Sequence, residues 1–164
     1  MVNNLLNEQG LKYLPWLMFG KWSERLDHEH KQPAIAVDCV VFNKAGSLVL
    51  IKRKNAPFKG KYALPGGFVE MGETTEAAAR RELNEETGLK VERLTLIGVY
   101  SDPKRDPRGH TISIAYLAVT THSAQPRAGD DAAAAAWVTN WRAAKLAFDH
   151  NTIVRDALAI IAAA

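Results

Sequence analysis

Three glutamates, Glu82, Glu85 and Glu86, stand at i, i+3 and i+4. On a helix that spacing turns their carboxylates onto one face. Like charges so placed repel and weaken a bare helix. A divalent cation reverses the penalty, because hard ions such as Mg²⁺ and Mn²⁺ take oxygen ligands and bind substrate phosphates at the same time. Pro65, Gly66 and Gly67 lie upstream, and a glycine turn lets backbone carbonyls and amides come close to such a site. An exposed acidic helix with solvated charges accounts for the glutamates. It does not account for Gly67, Glu73 and Gly88 at their offsets from them.

The element that must carry these carboxylates is a helix from Thr75 to Thr87, a run of Ala, Arg, Glu and Leu. Thr74 is its expected N-cap, and Glu76 sets a negative charge on the first turn. Gly88 stops it in the left-handed C′ position, and Leu89 folds back towards Leu83. Ala79 and Leu83, four apart, face the core.

Gly67, Glu73, Arg81, Glu82, Glu85, Glu86 and Gly88 also fill every fixed slot of a known signature, with Leu83 and Leu89 in its two apolar slots. On these residues the chain resembles the Nudix hydrolases over roughly residues 34–160. A motif this long seldom arises by accident. The resemblance implies an α/β/α sandwich with a mixed β-sheet, and metal-dependent hydrolysis of a nucleoside diphosphate linked to another group. It implies Glu82 and Glu86 as the principal ligands of Mg²⁺ or Mn²⁺, with Glu85 as a further or water-mediated partner and the Gly67 carbonyl beside them. By the same analogy Arg81 belongs to the catalytic box and pairs with Glu73 to hold loop and helix together, while Gly88 is structural.

At 164 residues, 47% apolar and 24% charged, the composition suits one globular domain with a proper core. The net charge of +3 gives no case for nucleic acid and is compatible with a polyanionic small substrate. The single cysteine, Cys39, lies in an apolar run and reads as a core thiol. No stretch is apolar enough to span a membrane, and the N-terminus lacks a basic region ahead of its apolar stretch. A cytoplasmic protein is expected.

Residues 1 to about 32 stand apart as a helical extension. Leu5, Leu6, Leu11, Leu14, Leu17, Met18, Phe19 and Trp22 are interrupted by Pro15 and Gly20. Exposed aromatics need cover, so this segment is read as packing on the main domain, as a subunit contact or as a substrate cap, and a homodimer is expected. The main domain, 33–164, opens with strands at Ala34–Phe42 and Ser47–Arg53. After the box come strands at Val91–Tyr100, Thr111–Thr120 and Ala135–Val138. Asn140 is expected to cap a brief helix, and Asp149 or Asn151 the last one.

The loop after the box narrows the substrate. Ser101-Asp102-Pro103 and the run from Arg105 to His110 look like the ADP-ribose pyrophosphatase branch, as does Leu146-Ala147-Phe148-Asp149-His150. That branch implies cleavage of ADP-ribose into AMP and ribose 5-phosphate. Arginine forks suit diphosphates, so Arg53, Arg105 and Arg108 are the substrate-binding candidates. Many relatives carry an extra glutamate before the tryptophan strand, but Ala132–Ala136 contains none. The general base is left among Glu85, Asp130, Asp131 and a metal-bound hydroxide. Nucleoside triphosphates or dinucleotides are the alternative substrates. The competing class is a non-catalytic ADP-ribose sensor with an attached winged-helix domain. Such sensors usually have degraded boxes and need about 60 to 80 further residues, whereas this box is intact and the sequence stops at Ala164.

Overall fold

A computed structural model describes residues 32–120, 124–129 and 132–163. The chain divides into two units, Met1–Gln32 and Pro33–Ala164. The expected helical extension falls in the first and lies outside the described residues, as do Asp130 and Asp131.

The second unit runs β1 (Ala34–Asn43), β2 (Leu48–Arg53), β3 (Tyr62–Ala63), β4 (Gly66–Phe68), α1 (Thr75–Thr87), β5 (Thr95–Tyr100), β6 (Thr111–Thr120), β7 (Ala132–Val138), a 3-10 turn (Trp141–Ala143) and α2 (His150–Ala163). Its seven strands form one mixed sheet. β1 pairs parallel with β6 along its whole length, from Ala34↔Thr111 to Asn43↔Thr120. β5 lies antiparallel on the far side of β6. On its other edge β1 meets β2 near Phe42 and β4 from Ala36 to Asp38. β2 pairs antiparallel with both β3 and β7.

The period-two alternation of a strand divides the core into two layers. Val37, Cys39 and Val41 of β1 and Val49 of β2 pack with Ala78, Ala79 and Leu83 of α1. Val40, Phe42, Leu48 and Leu50 pack with Ile153, Val154 and Ala157 of α2. One helix therefore covers each face, and the expected α/β/α sandwich is the architecture observed. Cys39 is fully buried, and its thiol donates to the Ala79 carbonyl at 3.3 Å. No helix among the described residues is long and apolar enough to cross a membrane.

α1 has the expected bounds and caps. The Thr74 hydroxyl accepts from the Ala77 N–H, and Gly88 is left-handed at φ 68° with its N–H on the Asn84 carbonyl. Three expectations are corrected. β5 begins at Thr95 rather than Val91, because the Val91 and Glu92 carbonyls accept from the Arg80 guanidinium while Val91 and Leu94 pack under α1. β7 begins at Ala132 rather than Ala135, since the alanines continue the ladder with Lys52 and Arg53. The expected caps are used otherwise. Asn140 makes no side-chain cap, Asn151 turns back to the Leu146 N–H and Ala144 carbonyl, and the Asp149 carboxylate accepts from Arg105.

Candidate active site

β4 is only three residues long, and its two glycines let it lie between β1 and α1. A Cβ on Gly66 would stand 2.1 Å from the Val37 carbonyl oxygen. A Cβ on Gly67 would stand 2.2 Å from Oε1 and 2.6 Å from Oε2 of Glu82. The Glu82 carboxylate thus rests on bare backbone. Beside it, the Gly66 N–H donates to Glu86 Oε2 at 2.9 Å. Glu82 and Glu86 both face a cavity of about 360 Å³.

Arg81 ties this arrangement together. Its Nε and Nη2 fork onto Glu73 at 3.2 and 2.7 Å, and Nη2 also donates to the Phe68 carbonyl at 3.0 Å. Its Nη1 donates to Glu82 at 2.9 Å and Glu85 at 3.1 Å. The expected Glu73–Arg81 link between loop and helix is present. The hydrogen bond from Arg81 lowers the Glu73 carboxyl, whereas burial, outweighing Arg81, raises that of Glu82.

The expected convergence of three glutamates holds for two. Glu85 shares the helical face, but Arg81 holds its carboxylate at the rim, 56% exposed, and it is absent from the cavity wall. Among the described residues no three His, Cys, Asp or Glu side chains form a ready-made metal cage. The donor set is nevertheless hard: two carboxylates and the Gly67 carbonyl on closely approaching backbone, suited to a divalent cation that takes oxygen.

The three arginines all reach the cavity wall, with different duties. Arg105 is 5% exposed and its guanidinium is committed, forking onto Asp149 at 2.9 and 2.7 Å and reaching Asp38 at 3.3 Å. It is a strut between the 102–110 loop and the start of α2, which departs from its expected place as a substrate contact. Arg108 forks onto Asp106 and lies over the rings of Phe68 and Phe148. Arg53 donates from Nε to the Pro57 carbonyl at 2.7 Å and also lies over Phe148.

Behind the arginines is a buried polar network that the sequence reading did not single out. Asp38 lies on β1 within the apolar run. Its Oδ2 accepts from the Ser113 hydroxyl at 2.5 Å, and its Oδ1 faces His150 Nε2 at 3.2 Å. The Leu64 N–H donates to His150 Nδ1, so the ring proton belongs on Nε2, towards Asp38. Burial alone would raise the Asp38 carboxyl, but His150, Ser113 and Arg105 outweigh it and hold it at about 2. The signals were an acidic residue inside a strand of Ala, Val and Cys, and the Phe148-Asp149-His150 run.

The loop of residues 124–129 closes the other end of α1. The Arg127 and Gly129 N–H groups donate to the Thr87 and Glu86 carbonyls at 2.9 and 3.3 Å, satisfying helix-end carbonyls that lack intrahelical partners.

The NUDIX domain family matches residues 32–157. An ADP-ribose pyrophosphatase of Methanocaldococcus jannaschii is 52% identical over 124 residues, covering 76% of this chain and 72% of that protein. The ADPR responsive transcriptional repressor NtrR of Acinetobacter baylyi is 36% identical over 138 residues, covering 80% of this chain and 55% of the repressor. A bifunctional NMN adenylyltransferase/ADP ribose pyrophosphatase of Francisella tularensis, solved with AMP and a manganese ion, superposes with a TM-score of 0.72 at 28% identity. That match covers 93% of this chain and 49% of the other.

Proposed function

This chain belongs to the NUDIX domain family, and from that premise we propose that it is a hydrolase acting on a nucleoside diphosphate linked to a second group. ADP-ribose, cleaved to AMP and ribose 5-phosphate, is the substrate we assign. One observation carries the reading: a single cavity wall holds two helix carboxylates, Glu82 and Glu86, and the guanidinium groups of Arg53 and Arg108. Carboxylates suit a divalent cation and guanidinium forks suit phosphate oxygens. A diphosphate bound with its cation needs both. The similarity to the M. jannaschii pyrophosphatase supports ADP-ribose as the diphosphate.

In the reaction, water adds to one phosphorus and the bridging oxygen departs with the other phosphoryl group. One P–O bond forms, one breaks, and the water gives up a proton. Glu82 and Glu86, with the Gly67 carbonyl, would hold Mg²⁺ or Mn²⁺. A divalent cation held there would shield phosphate charge and acidify the attacking water. Arg81 keeps Glu82 and Glu85 in place, and Arg53 and Arg108 fix the diphosphate. The proton passes to a carboxylate: Glu85, or Asp130 or Asp131 beyond the loop that closes α1. Glu85→Gln, Asp130→Asn and Asp131→Asn, made separately, identify it by a large loss of kcat in only one of them.

The test is turnover with Mg²⁺ or Mn²⁺ against ADP-ribose, nucleoside triphosphates and dinucleotides such as NADH. A kcat/KM for a triphosphate or dinucleotide clearly above that for ADP-ribose overturns the substrate. The similarity to the A. baylyi repressor favours a second reading, ADP-ribose sensing. ADP-ribose binding without turnover of any substrate would establish it. The proposal also includes a homodimer, on the apolar N-terminal residues, which a monomer in light scattering at micromolar concentration refutes. It includes a cytoplasmic location, on the single buried thiol and the nucleotide substrate.

A further inference from the structure

Phe148 is half-buried in the cavity wall and its backbone is left-handed, with φ 53°. A bulky residue adopts that conformation at an energetic penalty, and such penalties gather where a site requires them. Glycine takes such a conformation without that penalty.

The ring is a platform for two cations. The guanidinium carbon of Arg53 lies 4.9 Å from its centroid and that of Arg108 5.5 Å. Both are within the distance at which a cation is attracted to a ring. Phe58, itself at φ 62°, meets the same ring edge-on at 4.9 Å, and the His150 ring lies 5.2 Å away on its own support from Asp38 and Leu64. The platform is therefore fixed from two sides.

Two guanidinium groups sharing one ring repel each other. Burial first and the nearby Arg108 second lower the affinity of Arg53 for its proton. Asp106 compensates Arg108 through its fork. Among the described residues the Nη groups of Arg53 have no hydrogen-bond partner, since its Nε alone donates, to Pro57. A polyanion between the two arginines would relieve the repulsion and take those donors.

We propose that Phe148 is a positioning residue that holds Arg53 and Arg108 side by side as a pyrophosphate clamp within the cavity of Glu82 and Glu86. The proposal rests on the diphosphate reading of that cavity, with Arg53 and Arg108 as its recognition pair, and adds to it that an aromatic ring without polar atoms determines substrate affinity.

The experiment uses the full chain and two probes, inorganic pyrophosphate by calorimetry and ADP-ribose by turnover. Phe148→Leu keeps the apolar bulk and removes the π face. It should weaken pyrophosphate binding and raise KM for ADP-ribose by about five- to tenfold, the weight of one or two cation–π contacts. kcat should stay within about twofold, the split expected when ground and transition states are bound alike. Phe148→Tyr, which restores the face, should restore both constants. A merely structural role would lower melting temperature and kcat together and leave KM alone, and that result overturns the proposal. So does wild-type pyrophosphate affinity in Phe148→Leu. If that variant fails to fold, Arg53→Lys and Arg108→Lys decide, because lysine keeps the charge but loses the flat group. Each should weaken pyrophosphate binding at least threefold, and unchanged affinity in both overturns the clamp. The calorimetric arm needs no turnover, so a wild-type protein that binds pyrophosphate through Phe148 but leaves ADP-ribose uncleaved refutes the assigned function and keeps this inference.

Discussion

Gly67→Ala separates two reasons why a glycine stands at the start of the box. If Gly67 matters only for its carbonyl, alanine serves equally, for it keeps that oxygen and Gly67 is not left-handed. The structure gives another reason. An added Cβ would stand 2.2 Å from Glu82 Oε1, 2.4 Å from Cδ and 2.6 Å from Oε2, where ordinary contact begins at 3.4 Å. The carboxylate must retreat by about 1 Å, and the obstructing atoms are the far end of a side chain, so they yield while the backbone stays. The bond from Arg81 to Glu82 is disturbed at the same time. A misplacement near 1 Å in a site that works by positioning costs about 10²-fold in rate, so kcat for ADP-ribose should fall by roughly that factor. Thermal stability should change by only about 1 kcal/mol, the low end of overpacking penalties. The Mg²⁺- or Mn²⁺-induced rise in melting temperature, which measures cation binding by mass action, should shrink with kcat. Glu82→Asp in the same chain shortens the side chain by one methylene and should return part of both. Wild-type kcat and an undiminished cation-induced stabilisation in Gly67→Ala would refute the reasoning.

The neighbouring glycine should behave oppositely. A Cβ on Gly66 would stand 2.1 Å from the Val37 carbonyl oxygen, which is backbone of a paired strand and cannot yield. Gly66→Ala should therefore lose about 3 kcal/mol or more in denaturant unfolding. Glu86→Gln should abolish most turnover while the circular dichroism spectrum and melting temperature stay near wild type, and near-wild-type activity at saturating Mg²⁺ counts against Glu86 as a ligand. The Asp38 carboxyl is held at about 2, below its ordinary 3.8, so its contribution to stability is complete above pH ~4 and is lost as pH falls from there through 2. The side chain is nearly buried, and the shift corresponds to about 2 kcal/mol. Urea midpoints between pH 5 and 2.5 should decline less steeply in Asp38→Asn than in wild type, and parallel curves would refute the assignment.

The sequence by itself determined α1, its caps and its carboxylate face. These are local matters: the N-cap, the left-handed C-terminal glycine and the i, i+3, i+4 spacing act within one or two turns of chain. The resemblance that these residues carry also implied the α/β/α sandwich. Tertiary structure decided the rest, wherever a side chain's partner lies far along the chain. Glu85 shares its face with Glu82 and Glu86, yet Arg81 draws it to the rim. Arg105 and Arg108 are equivalent as loop arginines. Only the fold sets Asp149, 44 residues away, against the first and the ring of Phe148 beneath the second. His150 finds the Leu64 N–H across 86 residues. β5 loses its first residues to the carbonyl-seeking Arg80 of α1. Periodicity and capping report what a residue does to its own turn of chain, whereas an ion pair or a ring platform depends on which elements the packed sheet brings together.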